Sequence, residues 1–252
     1  MGVDQLMLAF AAVAAASVIV SAVPVPPQSA PVVIDKELWT HVEGTDQWTH
    51  NTDGHVYAGA VVDIDDQKQL PHGYGRYSCK DVATNTGQWA DGCLNGEGEV
   101  MAADGSFSFR GRFKHGLRAG FGVYSHEDGW RYEGHYLDDK RNGHGKWTDI
   151  DGQLLEGQWR ADLFEGHGRV MLANGMILEG QFTKWAPGAN IAGGSFRGNL
   201  VDAMGQVTEL KELTLKKDIL NASAASRKHG RDADDDGKPG NPPRPMRLKT
   251  GS

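Results

Sequence analysis

A 23-residue spacing of glycines is the feature that most constrains this chain. Glycines at positions 111, 134, 157 and 180 keep this period, and parallel glycine columns run through the same stretch. The triplet Tyr132-Glu133-Gly134 recurs as Leu-Glu-Gly at 155–157 and again at 178–180. A period shared by several columns indicates a tandem array of one supersecondary unit, in which each unit packs on its neighbours.

The repeated unit is predicted to be a β-hairpin. Residues 131–136 alternate between two faces, with Tyr132 and Tyr136 on one of them, which is the period-two pattern of a strand. The polar run 138–143 is rich in Asp, Asn and Gly, which favour turns. A second strand is predicted at 145–148, so consecutive hairpins should form an antiparallel sheet.

Glycines share a face with aromatic residues in this unit. Glycine inside a strand is normally a weakness, and it marks a place where another group approaches the backbone closely. Because Gly134 lies on the same face as Tyr132 and Tyr136, we expect aromatic rings to lie across bare glycine backbone.

The repeated motif resembles the MORN (membrane occupation and recognition nexus) repeat. The match is specific over residues 106–182 and weaker on either side, over roughly 44–205. The resemblance implies an all-β fold, an elongated single-layer antiparallel sheet of tandem hairpins that serves as a scaffold or interaction surface. It implies no chemistry. The residues that carry it best are Tyr132, Glu133, Gly134, Tyr136, Gly143, Gly145, Trp147, Asp151 and Gly152.

The pattern changes at both ends of the repeat region. Val207, Leu210 and Leu213 are spaced by three residues, which predicts a short amphipathic helix that caps the last hairpin. The polar, proline-bearing tail is expected to be disordered. The predicted segments are a signal peptide or membrane anchor (1–23), a proline-rich spacer (24–35), the repeat sheet (36–205), the capping helix (206–221) and the tail (222–252).

Residues 6–23 form the longest apolar run of the chain. This run is slightly long for the core of a signal peptide and at the lower limit for a membrane span. The small residues Val20-Ser21-Ala22 favour cleavage, whereas the first five residues carry Asp4 and no Lys or Arg. Both interpretations stay open, with cleavage after Ala22 preferred. Either one predicts a protein of the secretory pathway or a membrane-associated protein.

Charge narrows the choice of partner. Residues 44–205 carry 22 acidic and 15 basic side chains, a net charge of −7. Nucleic acids and anionic lipid surfaces are bound through basic surfaces. The composition therefore excludes nucleic acid as the partner and argues against direct lipid binding by the repeats. It favours a protein partner.

Aromatic columns are the candidate binding residues. A single-layer sheet has no second layer to cover them, so we expect a partly open groove for a partner peptide or helix. The alternative is that these rings only form the core strip that joins the hairpins. The residues of the predicted groove are Trp89, Phe113, Tyr124, Tyr132, Tyr136, Trp147, Trp159 and Phe182.

The sequence contains no recognisable catalytic, metal-binding or cofactor-binding set. His144 and His167 occupy one slot in successive repeats, but two strand spacings put them roughly 9–10 Å apart, too far to share a metal ion. Cys79 and Cys93 are predicted to be free thiols. We therefore predict a non-enzymatic scaffold. Two alternatives are a lipid-binding module and the targeting subunit of an enzyme whose catalytic part is on another chain.

Overall fold

The described part of the chain forms one open antiparallel sheet. A computed structural model describes residues 30–172, 174–185 and 194–214. Sixteen strands belong to the sheet, and β2 to β16 follow one another in chain order, each paired with the next. This meander confirms the all-β array of tandem hairpins. The 23-residue period is therefore the length of one hairpin with its connection.

The strands of the central repeats are long and closely similar. The bounds of all sixteen strands are β1 Ile34–Asp35, β2 Trp39–His41, β3 Gln47–His50, β4 Val56–Asp63, β5 Lys68–Cys79, β6 Ala83–Ala90, β7 Cys93–Ala102, β8 Phe107–Lys114, β9 Leu117–His126, β10 Arg131–Leu137, β11 Lys140–Thr148, β12 Leu154–Arg160, β13 Leu163–Met171, β14 Ile177–Trp185, β15 Ser195–Val201 and β16 Val207–Thr214.

The hairpin turns are tighter than the sequence suggested. Only Asp138 and Asp139 separate β10 from β11, and their φ angles are +49° and +66°. Two central residues with positive φ are typical of a type I′ turn, whose twist matches that of paired strands. The predicted turn over 138–143 is therefore too long, because the strand resumes at Lys140.

Irregular pairing recurs at the same place in successive hairpins. In β10 the register with β11 shifts between Gly134 and Tyr136, and in β12 the register with β13 shifts between Gly157 and Trp159. Such a shift is the mark of a β-bulge, which bends its strand. The bulges lie one residue beyond the glycine pairs, so they form one line across these hairpins next to the aromatic columns.

The amino-terminal end of the sheet includes residues that we assigned to the spacer. Ile34 and Asp35 form β1, which pairs with Gln69 and Lys68 of β5. The Ile34 side chain is fully buried, and the Val32 amide donates a hydrogen bond to the Gly92 carbonyl. The spacer therefore ends before residue 32, because Ile34 is buried by the sheet and Val32 is partly buried against it, although Val33 is exposed.

The prediction of a carboxy-terminal helix is wrong for the part of that segment that the structure describes. Val207–Thr214 is the strand β16, and residues 215–221 lie outside the described residues. Leu210 pairs with Gly198 and Leu213 with Phe196, with a register shift between these two pairs. A bulge adds one residue to a strand, so the three-residue spacing of these leucines reflects a bulge rather than a helix.

The leader and the tail fall outside this structure. The predictions for residues 1–23 and 222–252 concern residues that are not described. Among the residues that are, no helix is long and apolar enough to cross a membrane.

Candidate partner-binding surface

The inner face of the sheet, defined as the face that carries the aromatic columns, is built on glycine pairs. Gly134 lies opposite Gly145 on the neighbouring strand. A Cβ atom on Gly134 would lie 2.5 Å from the Gly145 Cα and 2.6 Å from the Tyr132 hydroxyl oxygen. A Cβ on Gly145 would also collide with the Tyr132 ring. The prediction that rings lie across bare glycine backbone is confirmed.

Rings from successive hairpins form one continuous row on this face. Tyr132 makes edge-to-face contacts with Tyr136 and with Trp159, each with 5.3 Å between ring centroids. Such pairs stabilise beyond the area that they bury, by about 0.5–1.5 kcal/mol each. The row, with successive centroids 4.8–5.3 Å apart, is Phe113, Phe109, Tyr136, Tyr132, Trp159, Phe164, Phe182 and Phe196.

The predicted open aromatic groove is wrong for this chain. Each of its side chains is at most 5% exposed. Most of these rings contact other rings on the same face, and Tyr132 also covers glycine backbone, so a single sheet buries them without a second layer. Burial also raises the pKa of Tyr132, which keeps its phenol neutral. The structure places these residues in the core: Trp89, Phe113, Tyr124, Tyr132, Tyr136, Trp147, Trp159 and Phe182.

Two buried arginines within the inner face escaped the sequence analysis. The Arg141 side chain is 8% exposed, and its Nε donates to Asp162 Oδ1 at 3.0 Å. Its Nη2 donates to the Asp162 carbonyl at 3.1 Å, and its guanidinium lies 4.4 Å from the Trp159 ring centroid. Arg118 and Asp139 repeat this arrangement one hairpin earlier. Each pair joins the start of one strand to the turn of the next hairpin.

Other hairpins carry a different residue at the repeat position of Arg118 and Arg141. Leu94 replaces the arginine in an earlier hairpin, with the Gly116 amide donating to the Leu94 carbonyl at 2.9 Å. The Asp162 amide donates to the Arg141 carbonyl in the same way, at 3.0 Å. Phe164 fills the same position one hairpin after Arg141, so the arginine pair is one of three solutions to the same packing problem. The 23-residue recurrence of both Arg and Asp in the sequence was the signal that could have revealed it.

The outer face, opposite the aromatic row, carries a ladder of alternating charge. Glu133 is the cross-strand neighbour of Lys146, Lys146 of Glu156, and Glu156 of Arg169. These side chains are exposed, and opposite charges facing each other across strands stabilise a sheet modestly. The acidic and basic side chains of the ladder neutralise one another in the middle of the sheet. They therefore attract a charged partner only weakly there.

Apolar side chains form a second line on the outer face, near the carboxy-terminal end of the sheet. They are cross-strand neighbours from β12 to β16, and all are partly or largely exposed. The sequence analysis missed this line because its members lie at the strand ends, outside the aromatic columns. The residues of this outer apolar row are Leu154, Met171, Ile177, Val201 and Val207.

The described residues offer no centre for metal chemistry. Across 30–172, 174–185 and 194–214, no group of three or more His, Cys, Asp or Glu side chains could hold a metal ion. His144 and His167 are exposed on the outer face. Cys79 and Cys93 are free thiols, as predicted.

Comparison with known proteins agrees with the architecture. The model of the MORN repeat matches residues 70–81, 109–131, 132–154 and 156–177. No curated protein matches the chain. Proteins with MORN repeats are generally non-catalytic and often serve as binding or scaffold modules. The periodic hairpins, the glycine pairs with their covering rings and these four matches together show that the chain carries MORN repeats between residues 70 and 177.

Proposed function

We propose that this protein is a non-enzymatic scaffold that binds a protein partner through the outer apolar row. The observation that carries the proposal is the row itself, a line of partly exposed apolar side chains that are cross-strand neighbours over five consecutive strands. Val207 is 63% exposed and Ile177 is half-buried. Contiguous exposed apolar surface with a polar rim is typical of interaction sites.

The dimensions of the row suit a helical or extended segment. It crosses five strands, β12 to β16, and four strand spacings amount to about 19 Å. An α-helix of about 13 residues has this length. Apolar residues on one face of such a helix would meet Leu154 at one end and Val207 at the other, a recurring mode of peptide recognition.

Charge favours a protein over a lipid surface. The repeat region carries a net charge of −7. Beside the row lie three carboxylates, Glu156, Glu179 and Glu209, and one basic side chain, Arg169, so the charge next to the row is net negative. An anionic bilayer would be repelled by these carboxylates. A partner segment with apolar residues flanked by Lys or Arg fits this surface better.

The location of the scaffold depends on its leader. We propose that residues 1–23 export the protein or tether it to a membrane, and the support is their apolar composition. Amino-terminal sequencing of the native protein tests this. A chain that begins near Val23 indicates a cleaved signal peptide, whereas a retained Met1 or Gly2 with carbonate-resistant membrane association indicates an anchor. A retained start with full solubility contradicts both.

The experiment on the binding surface compares two outward substitutions. Ile177→Asp places a charge within the row, whereas Met101→Asp changes a 50% exposed side chain in the corresponding cross-strand position far from it. Both variants should keep the melting temperature of the wild type, because neither side chain is in the core. We expect Ile177→Asp to lose at least about tenfold of the partner recovered by affinity capture and mass spectrometry, as for a contact at an interface hot spot.

The controls separate the alternatives. Equal partner recovery from wild type, Ile177→Asp and Met101→Asp contradicts the proposed surface. Pelleting with anionic vesicles, undiminished in Ile177→Asp, would favour the lipid-binding module. Recovery of a catalytic subunit that is lost with Ile177→Asp would support the row and identify the protein as the targeting subunit of an enzyme.

A further inference from the structure

We infer that a cavity at the amino-terminal end of the sheet binds a small, neutral aromatic molecule that carries an N–H or O–H donor. The cavity has a volume of about 360 Å³, at the lower end of the range of small-molecule sites. It lies between the segment 30–39 and the inner face of the first hairpins. We call it the N-terminal cavity, and the side chains that define it are Trp39, His55, Tyr77, Cys79, Ala83 and Asn85.

The cavity exists because β6 carries two small side chains on the inner face. In β6, the positions four and two residues before Gly87 are Ala83 and Asn85. The same two positions hold buried rings in the next two hairpins, namely Phe107 and Phe109 in β8, and Trp130 and Tyr132 spanning the start of β10. Two small side chains in place of two rings leave space on the inner face, and a planar aromatic molecule has the shape of what is missing.

Asn85 points to a hydrogen-bond donor on this molecule. Its side chain is 1% exposed, it lines the cavity, and its Oδ1 has no hydrogen-bond partner among the described residues. A buried acceptor without a partner destabilises the folded protein, because it loses its hydrogen bond to water and gains none in return. The same position of the repeat holds Phe109, Tyr132 and Leu155 in the following hairpins, all of them buried, so an amide is not what packing alone requires there. A hydrogen-bond donor on a bound molecule would give the Asn85 Oδ1 the partner that it lacks.

The other polar groups of the cavity are already engaged. The Tyr77 hydroxyl lies 2.9 Å from His55 Nδ1, and His55 Nε2 lies 3.6 Å from Cys79 Sγ. Burial raises the pKa of Tyr77 to about 12 and also raises the pKa of the Cys79 thiol, so both stay protonated at neutral pH. No Lys, Arg, Asp or Glu of the described chain lines the cavity. An uncharged ligand therefore suits it better than an ion.

The cavity is open to small molecules at its rim. Leu38, 50% exposed, lies at this rim, whereas Trp39, 6% exposed, forms part of the wall. The Trp39 ring is held edge-to-face against His50 at 5.1 Å. A ligand ring would thus enter past Leu38 and pack on Trp39, with its donor toward Asn85.

Protection of Cys79 from alkylation measures occupancy directly. The probe is indole, which is planar, neutral and carries one N–H donor. The protein is the full chain with Cys93→Ser, so that iodoacetamide reports on Cys79 alone. The reaction is run at alkaline pH, because the thiolate is the nucleophile and burial raises the pKa of Cys79. We expect indole at ten times its Kd to slow alkylation about tenfold, as mass action requires. Benzofuran has the same shape without the donor and should bind about fivefold more weakly.

Two variants test whether Asn85 accepts the hydrogen bond of the ligand and whether the ligand lies in the N-terminal cavity. Asn85→Leu keeps the volume and removes the acceptor, so indole and benzofuran should then protect equally. Ala83→Phe fills the cavity, so neither probe should change the alkylation rate of that variant.

Two results would overturn the inference. One is an alkylation rate of Cys79 that indole does not change up to its solubility limit, which would also be seen if a preceding segment of the chain filled the cavity. The other is an equal advantage of indole over benzofuran in wild type and Asn85→Leu, since the donor would then not be bound by Asn85. The outer apolar row plays no part in this test, so its outcome is independent of the proposed partner.

Discussion

The two faces of this sheet follow different rules, although the same strands build both. On the inner face, Gly145 leaves room for Tyr132, and Tyr132 in turn packs on Trp159 of the next hairpin. On the outer face, Glu156 has only exposed neighbours such as Lys146. The inner face therefore constrains each residue through several contacts, whereas the outer face constrains its residues weakly.

The difference indicates where function is to be found. An inner face that is filled by its own rings has no surface left for a partner, except where a repeat departs from the pattern, as at Ala83 and Asn85. Side chains on the outer face can be substituted without loss of the fold. Residues such as those of the outer apolar row can therefore be used to bind a partner. Substitutions on the inner face should consequently lower the free energy of unfolding by several kcal/mol more than substitutions on the outer face.

Gly134→Val should have the largest effect. The new side chain would meet the Gly145 Cα at 2.5 Å, and this backbone cannot move without breaking the pairing of β10 with β11. The cost should exceed the ~1–3 kcal/mol typical of overpacking, so we expect little folded protein by circular dichroism. His135→Val, the next residue on the exposed face, is the control. Similar melting temperatures for both variants would contradict the distinction between faces.

Trp147→Ala should cost about 4 kcal/mol, within the usual range for removing a buried aromatic ring. Trp147 is fully buried and lies opposite Tyr132 and Leu155. Urea unfolding monitored by fluorescence gives the free energy of unfolding directly. A stable variant that fails only to bind its partner would instead restore the aromatic groove as the binding site.

Asp162→Gly should cost about 2 kcal/mol, below the 3–5 kcal/mol of a fully buried pair, because the Asp162 side chain is 41% exposed. It leaves the buried Arg141 guanidinium without its carboxylate partner. The double variant Arg141→Leu/Asp162→Gly copies the slot formed by Leu94 and Gly116, and it should be more stable than the single one. A double-mutant cycle by thermal unfolding in which the two costs simply add would refute this equivalence.

Glu156→Gln should have the smallest effect, at most about 0.5 kcal/mol. Its carboxylate faces Lys146 and Arg169 on the exposed side of the sheet, where water and salt screen it. The difference in melting temperature from wild type should vanish at 1 M salt, where the screening length is about 3 Å. A persistent loss of stability would mean that the charge ladder belongs to the structural core.

Much of the fold followed from the sequence, and the candidate surface did not. The hairpin, the covering of Gly134 by Tyr132 and the free thiols were predicted, because each depends on neighbours one strand away. The capping helix was wrong over Val207–Thr214, since a bulge gave the leucines of β16 a helical spacing. The open groove was wrong as well, since alternation along a strand says which residues share a face but not whether they cover one another.

The sequence by itself determined the repeat, because a 23-residue period of glycines and rings is compatible with little other than stacked hairpins. The tertiary structure decided which groups remain accessible. Burial of Trp147 depends on its cross-strand neighbours, Tyr132 in its own hairpin and Leu155 in the next, and exposure of Ile177 depends on which face its strand turns outward. The space beside Asn85 depends on the segment before β2 as well as on Ala83. These properties arise from contacts between units, which no single repeat encodes.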